Sequence, residues 1–156
     1  MGNCINFRKN IELKELRKQT ASTCPFFTLK GQTMYAKVIS VYDGDTCTVV
    51  LRLHGKFVKF RVRMLGYDSP EMKPPLNTPN RVNVVESAKV AKLELEKLIL
   101  NKIVQIDCGD WDKYGRLLGK IYVGHKMCVN DYMLENGFGY KYDGGTKEKP
   151  NVMIFD

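Results

Sequence analysis

The chain has 156 residues, of which 44% are hydrophobic and 27% charged, and a formal net charge of +8. That length suits one globular unit with a core of its own, and the absence of any apolar run of about eighteen residues, or of an apolar leader core, excludes a transmembrane helix and a signal peptide. The charge favours anionic partners, whether nucleic acid, acidic lipid or acidic protein. Cys4, Cys24, Cys47, Cys108 and Cys128 form an odd set with no C-x-x-C pair, so reduced thiols in a cytoplasmic setting are expected rather than a zinc knuckle or a disulfide framework.

Residues 1–30 read as a basic N-terminal extension, in which Arg8, Lys9, Lys14, Arg17 and Lys18 outnumber Glu12 and Glu15. Gly2 after the initiator Met is the acceptor that N-myristoylation needs, and Cys4 lies where a second acyl chain is often added, although Asn6 departs from the preferred Ser or Thr. Two acyl chains, or one with neighbouring basic residues, hold a protein at the anionic cytoplasmic face of a membrane. A disordered basic leader is the plain alternative.

Residues 31–143 carry the regular patterns. Met34–Tyr42, Thr46–Leu53 and Lys56–Leu65 are dense in β-branched residues, and His54-Gly55 reads as a short hairpin connection, so three strands form an antiparallel meander. A proline-rich loop comes next at Lys73–Arg81. Val84, Ala88, Ala91, Leu95 and Leu98 recur at helical spacing and predict a helix over Asn83–Leu100. Ile103–Cys108 and Leu117–Val123 read as strands, and Val129–Asn136 as a short helix stopped by Gly137. The tail over 144–156 has too little periodicity to assign. Five strands with a helix between the third and fourth fit a small closed barrel of the oligonucleotide-binding (OB) type, a β-barrel with helices, and the same spacing is compatible with another α+β arrangement.

The chemistry-bearing residues lie at strand ends. Asp43-Gly44-Asp45-Thr46 is on composition a turn, and Asp68-Ser69-Pro70-Glu71 an ordinary strand exit. Together, though, Asp45 and Asp68 sit where adjacent strand ends can offer oxygen ligands to a hard cation, with Glu71 near enough to hold a water. Arg61 and Arg63, two apart, share a strand face that is either a wet surface or a phosphate-binding opening, and Arg116 can supply a second phosphate contact. Tyr114, Tyr140 and Tyr142 are either stacking platforms for bases or packing residues beside turns. His54 and His125 flank glycines in expected turns, which argues against histidine-based metal or nucleophile chemistry.

Asp43-Gly44-Asp45-Thr46, Arg63 five residues ahead of Asp68-Ser69-Pro70-Glu71, Asp112-Lys113-Tyr114-Gly115-Arg116 and Val129-Asn130 resemble, in order and spacing, the staphylococcal nuclease (thermonuclease-like) family from Tyr35 to about Tyr142. The resemblance implies a five-stranded OB-fold and a Ca²⁺-dependent phosphodiesterase, an endonuclease acting on DNA and RNA with single strands favoured, expected as a monomer. Carried over by residue, it implies Asp45, Asp68 and the Ser69 carbonyl as Ca²⁺ ligands and Glu71 as the group that positions or deprotonates the attacking water. Arg63 and Arg116 become the catalytic phosphate clamp, Asp43 an organiser of waters around the metal, and Lys113, Tyr114 and one of Tyr140 or Tyr142 the substrate pocket. Ser69 stands where the family usually has threonine, the hairpin at His54 is longer, and no obvious counterpart of the family's last helix comes after Tyr142. A non-catalytic nucleic-acid-binding or membrane-associated scaffold is the rival reading; its usual sign is loss of these acids or arginines, and all are present here.

Overall fold

A computed structural model describes residues 2–124 and 126–144, with side chains from Lys9 onward. His125, the tail beyond Gly144 and the side chains of Gly2 and Cys4 lie outside that description. The elements run α1 (Gly2–Leu16), β1 (Thr33–Val41), β2 (Thr46–Leu53), β3 (Lys56–Met64), β4 (Gly66–Asp68), α2 (Arg81–Ile99), β5 (Ile103–Trp111), β6 (Leu117–Val123), β7 (Met127–Cys128), α3 (Val129–Glu135) and β8 (Tyr140–Tyr142). No helix among them is long and apolar enough to cross a membrane.

The first three strands form the expected antiparallel meander, turned at His54-Gly55 with both residues at positive φ, the geometry of a two-residue hairpin whose twist matches its strands. β1 also pairs antiparallel with β5, β5 with β6, and β3 closes the ring by parallel pairing with β6, Val62 opposite Leu117. The result is a closed five-stranded mixed barrel of the OB type, β1-β2-β3-β6-β5. Closure hides the strand edges, and alternation sends Val38, Val49, Val62, Ile106 and Ile121 into the core, each fully buried. Helix α2 buries Ala88, Ala91 and Leu95, as its spacing predicts, with Ile99 fully buried in place of the expected Leu98, and Leu98 and Val84 half-buried. Leu29, inside the segment read as extension, also belongs to this core, whereas 9–28 are exposed throughout.

Two short strands shape the mouth of the barrel. β4 and β8 pair antiparallel, Asp68 opposite Tyr140, and carry the chain past the opening. Behind them, Asn130 at the start of α3 is buried; its amide donates to the carbonyls of Leu65 and Gly119 (2.8 and 3.1 Å) and accepts from the Ile121 amide (2.8 Å). That one side chain ties the β3–β4 corner to β6, so the mouth rests on a satisfied, rigid wall.

Candidate active site

The turn between β1 and β2 is an Asx turn, as its composition suggests, since Asp43 Oδ1 accepts the Asp45 amide at 3.1 Å and the Tyr42 amide donates to the Thr46 carbonyl at 2.8 Å. It is also more than a turn. Gly44 is pressed against the segments carrying Ser69 and Ala91, where a Cβ would stand 2.7 Å from Ser69 Cβ and 2.8 Å from Ala91 Cβ. This close approach lets the Asp45 carboxylate turn inward, 5% exposed, where Oδ2 accepts the Ser69 amide (2.8 Å) and Oδ1 the Thr46 hydroxyl (2.9 Å). Burial, and then the neighbouring Asp45 charge, push the Asp43 carboxyl up to about 6.

Arg63 is the centre of the floor. It is 8% exposed; Nη1 donates to the carbonyls of Met64 and Tyr67, both at 3.0 Å, and lies 3.2 Å from Asp45 Oδ2, while Nη2 donates to Asp68 Oδ1 at 2.5 Å. The chain turns at Gly66, whose φ of 89° only glycine adopts readily, and β4 then brings the Tyr67 carbonyl and the Asp68 carboxylate to Arg63. Arg61 precedes the corner and stays exposed on the open strand, away from the lining of the cleft. The two arginines lie two apart in one unbroken strand, as expected, but their surroundings differ: Arg63 is buried and Arg61 is exposed. Asp68 is held from the other side by the Tyr140 hydroxyl, which donates to Oδ2 at 2.8 Å. Beneath the turn, the Tyr67 hydroxyl donates to the Gly44 carbonyl at 2.7 Å, and burial pushes its phenol well above the ordinary range, which keeps it a donor.

Arg116 arrives on the loop between β5 and β6. Asp112 organises that loop: Oδ1 accepts the amides of Tyr114 (2.8 Å) and Arg116 (2.9 Å), and Oδ2 accepts Arg116 Nε at 2.6 Å. Burial alone would raise the Asp112 carboxyl, but the hydrogen bonds from Arg116 and Tyr114 and the guanidinium charge outweigh it and hold it below its ordinary value. Arg116 Nη1 reaches Thr46 Oγ1 at 3.4 Å, so the loop arginine and the floor acid Asp45 share one hydroxyl. Lys113 Nζ and Arg116 Cζ stand 5.1 and 5.5 Å from the centre of the Tyr114 ring.

These groups line one cleft of about 660 Å³. Of the residues singled out from sequence, Asp43, Asp45, Arg63, Asp68, Ser69, Glu71, Lys113, Tyr114, Arg116 and Tyr142 are on its walls; Tyr140 stands behind Asp68 instead. Sequence reasoning gives no role to Asp112, Thr46 or Tyr67, which hold the others in place, nor to Tyr42 and Lys73, which line the cleft. Asp112 carries a signal, an acid four residues ahead of an arginine across a Tyr-Gly turn. Tyr67 and Thr46 carry none, because their contacts join distant segments.

The family model described as staphylococcal nuclease homologue matches residues 61–153, well over half of the chain. The chain belongs to the staphylococcal nuclease family. The matched span takes in Arg63, Asp68, Ser69, Glu71 and Arg116 and leaves the Asp43–Asp45 turn outside it. Among curated relatives, a probable staphylococcal-like nuclease of Oryza sativa subsp. japonica is 34% identical over 106 residues, 68% of this chain and 23% of that protein. A thermonuclease of Staphylococcus hyicus is 33% identical over 101 residues, 65% of this chain and 55% of that one. An uncharacterized endonuclease of Escherichia coli is 26% identical over 110 residues, 70% of this chain and 62% of its own length. The chain therefore spans from about a quarter to somewhat under two thirds of these relatives.

Within this staphylococcal nuclease barrel the available donors are all oxygen. Among the described residues no three His, Cys, Asp or Glu side chains gather as a ready-made metal cage. Two buried carboxylates, Asp45 and Asp68, do converge on the single Arg63 guanidinium, and a backbone carbonyl at Ser69 comes directly after. Two carboxylates, a carbonyl and room for water in a solvent-filled cleft fit a hard cation rather than zinc or copper.

Proposed function

We propose that this chain is a Ca²⁺-dependent nuclease that hydrolyses phosphodiester bonds of DNA and RNA by attack of water. The observation that carries the reading is the meeting, in one cleft, of two buried carboxylates, a third carboxylate at Glu71 and two guanidinium groups, drawn from the β1–β2 turn, β3, the end of β4 and the β5–β6 loop. Asp45, Asp68 and the Ser69 carbonyl would hold the cation, with Asp43 ordering water beside it. Once bound, a hard cation neutralises phosphate charge and polarises a nearby water.

The remaining work falls to the chain's own groups. Glu71 orients the water and takes its proton as the water oxygen bonds to phosphorus and the sugar oxygen leaves with the bonding pair. Arg63 and Arg116 grip the non-bridging oxygens and hold the extra negative charge that builds on them, and the hydrogen bonds that fix both arginines remove the need to reorganise at that moment. Lys113, Tyr114 and Tyr142 flank this centre with a cation and aromatic rings suited to the backbone and bases of a single strand. The chain acts as a monomer, with the whole constellation supplied by one barrel.

The deciding experiment is cleavage of single-stranded DNA and RNA with Ca²⁺ and with a chelator, using the wild type and Glu71→Gln. Calcium-dependent cleavage that falls by about a hundred- to ten-thousandfold in the variant, with thermal stability unchanged, supports the mechanism. Full activity in Glu71→Gln would sink it, and no cleavage by a folded wild type with any divalent ion would leave the barrel as a binding scaffold.

We further propose that the N-terminal segment holds the enzyme at the cytoplasmic face of a membrane, through acylation of Gly2 and Cys4 and the basic residues that come after them. The exposure of every residue over 9–28 supports this reading, since little there is committed to the barrel beyond the approach of Phe27 to Trp111, 6.4 Å between ring centres. Loss of membrane fractionation in Gly2→Ala is the expected result; unchanged fractionation would refute the anchor.

A further inference from the structure

Tyr42 is the last aromatic residue before the acidic turn, and its ring is unused by the fold. The side chain is 71% exposed, and among the described residues it enters no hydrogen bond or ring contact; only its backbone amide is engaged, on the Thr46 carbonyl at 2.8 Å. It nevertheless lines the cleft that holds Asp45 and Arg63. Tyr114, 72% exposed, lines the same cleft from the β5–β6 loop. Two exposed tyrosines thus line one cleft with its charged groups, both near Thr46: Tyr42 stands four residues before Thr46 in the chain, and Arg116, two residues after Tyr114, bonds its hydroxyl.

An exposed ring beside ion pairs gains nothing from the core; the lining pairs the acids Asp43, Asp45, Asp68 and Glu71 with the cations Arg63, Lys73, Lys113 and Arg116, and those cations suit the phosphates of a ligand. A single nucleic-acid strand alternates phosphates with flat apolar faces at its bases, so a cleft that sets cations beside exposed aromatic residues matches both. A duplex keeps those faces stacked inside and offers neither ring a partner.

We infer that Tyr42 is a base-stacking residue, forming with Tyr114 a pair of aromatic walls that hold the unstacked bases flanking the phosphate seated over Arg63. The inference rests on the proposed nuclease function and adds to it a substrate contact on the β1 side of the cleft. The sequence specificity of such a contact is low, because every base presents a π-face, while its demand for unpaired bases is strict.

The test is binding of a short oligothymidylate, and of the same strand with abasic positions, to the full chain in the presence of a chelator so that no cleavage occurs. For Tyr42→Ala the dissociation constant for the oligothymidylate should rise about 5- to 150-fold, the span of one base–aromatic stack, with the thermal midpoint unchanged and affinity for the abasic strand unaltered. Tyr42→Trp should restore or strengthen binding of the base-bearing strand alone. Equal binding by wild type and Tyr42→Ala, or an equal loss on the abasic strand, overturns the stacking role while leaving the nuclease reading intact. Failure of the wild type to bind or cleave any strand overturns both.

Discussion

The two cleft arginines are built in opposite ways. Arg63 is a wall residue, held by two carbonyls and two carboxylates contributed by three different stretches of chain, and its side chain is 9% exposed. Arg116 is a loop residue, held chiefly by Asp112 four positions away, and its side chain is 27% exposed. One position is thus set by the whole fold and the other by five consecutive residues. A guanidinium fixed by long-range contacts supports the fold as well as lining the cleft, whereas one fixed locally should be lost with little disturbance of the barrel.

Replacing Arg63 by alanine should break this contrast hardest. It strands two buried carboxylates and two carbonyls, a change worth about 3–5 kcal/mol for a broken buried pair. For a chain of this size that lowers the melting temperature by about 6–20 °C at roughly 2–4 °C per kcal/mol. A calorimetric scan showing less than a degree of change would mean that the Arg63 network contributes no stability. Cleavage should be lost as well, so the scan and the rate must be read together.

Arg116→Ala should separate the two effects. A partly exposed ion pair contributes at most about 1 kcal/mol, so the melting temperature should move by no more than about 2–4 °C. The cleavage rate should nonetheless fall by about a hundred- to a thousandfold, the cost of losing one donor to a developing oxyanion. Equal destabilisation by the two substitutions would erase the distinction between wall and loop.

The same division explains what is legible in the sequence. β2 and β6 begin and end at the residues their β-branched patterns predict, and α2 follows its apolar spacing to within two residues at its start, because one buried face imposes one period. β5 runs three residues beyond Cys108, since a bulge absorbs Gly109-Asp110 instead of ending the strand. β4 and β8 leave no trace in the sequence pattern because three residues cannot display a period, and what makes them strands is their pairing across the fold. α1 is equally silent, because its sequence shows no amphipathic period. The cleft residues can be named from their motifs, but the holding roles cannot: Tyr140 and Asn130 stand in those motifs, yet that they brace Asp68 and the β3–β4 corner, and that Tyr67 sits under Gly44, depends on contacts that no local pattern encodes. The burial of Arg63 beside an exposed Arg61 is of the same kind, since it rests on contacts to Tyr67, Asp68 and the distant Asp45.

The smallest effect sharpens the comparison most, because it isolates the loop from the barrel. In Asp112→Asn, Oδ1 can still accept the two amides, but Nδ2 is itself a donor and cannot accept Arg116 Nε, so the charged hydrogen bond to the guanidinium is lost while the amide bonds stay. The Asp112 carboxyl is held below its ordinary value of 3.8, the depressed case, so its contribution is fully present above that value and is lost as the pH falls through the lower folded value. The melting temperatures of wild type and variant should therefore differ by a small constant amount at neutral pH, and the gap should close as the pH is taken below about 3.8. Added salt should narrow the neutral gap too, because this pair reaches solvent. A gap that persists in acid would mean that asparagine has distorted the turn geometry itself, and that the loop is fixed by its amide bonds rather than by the charge of Arg116.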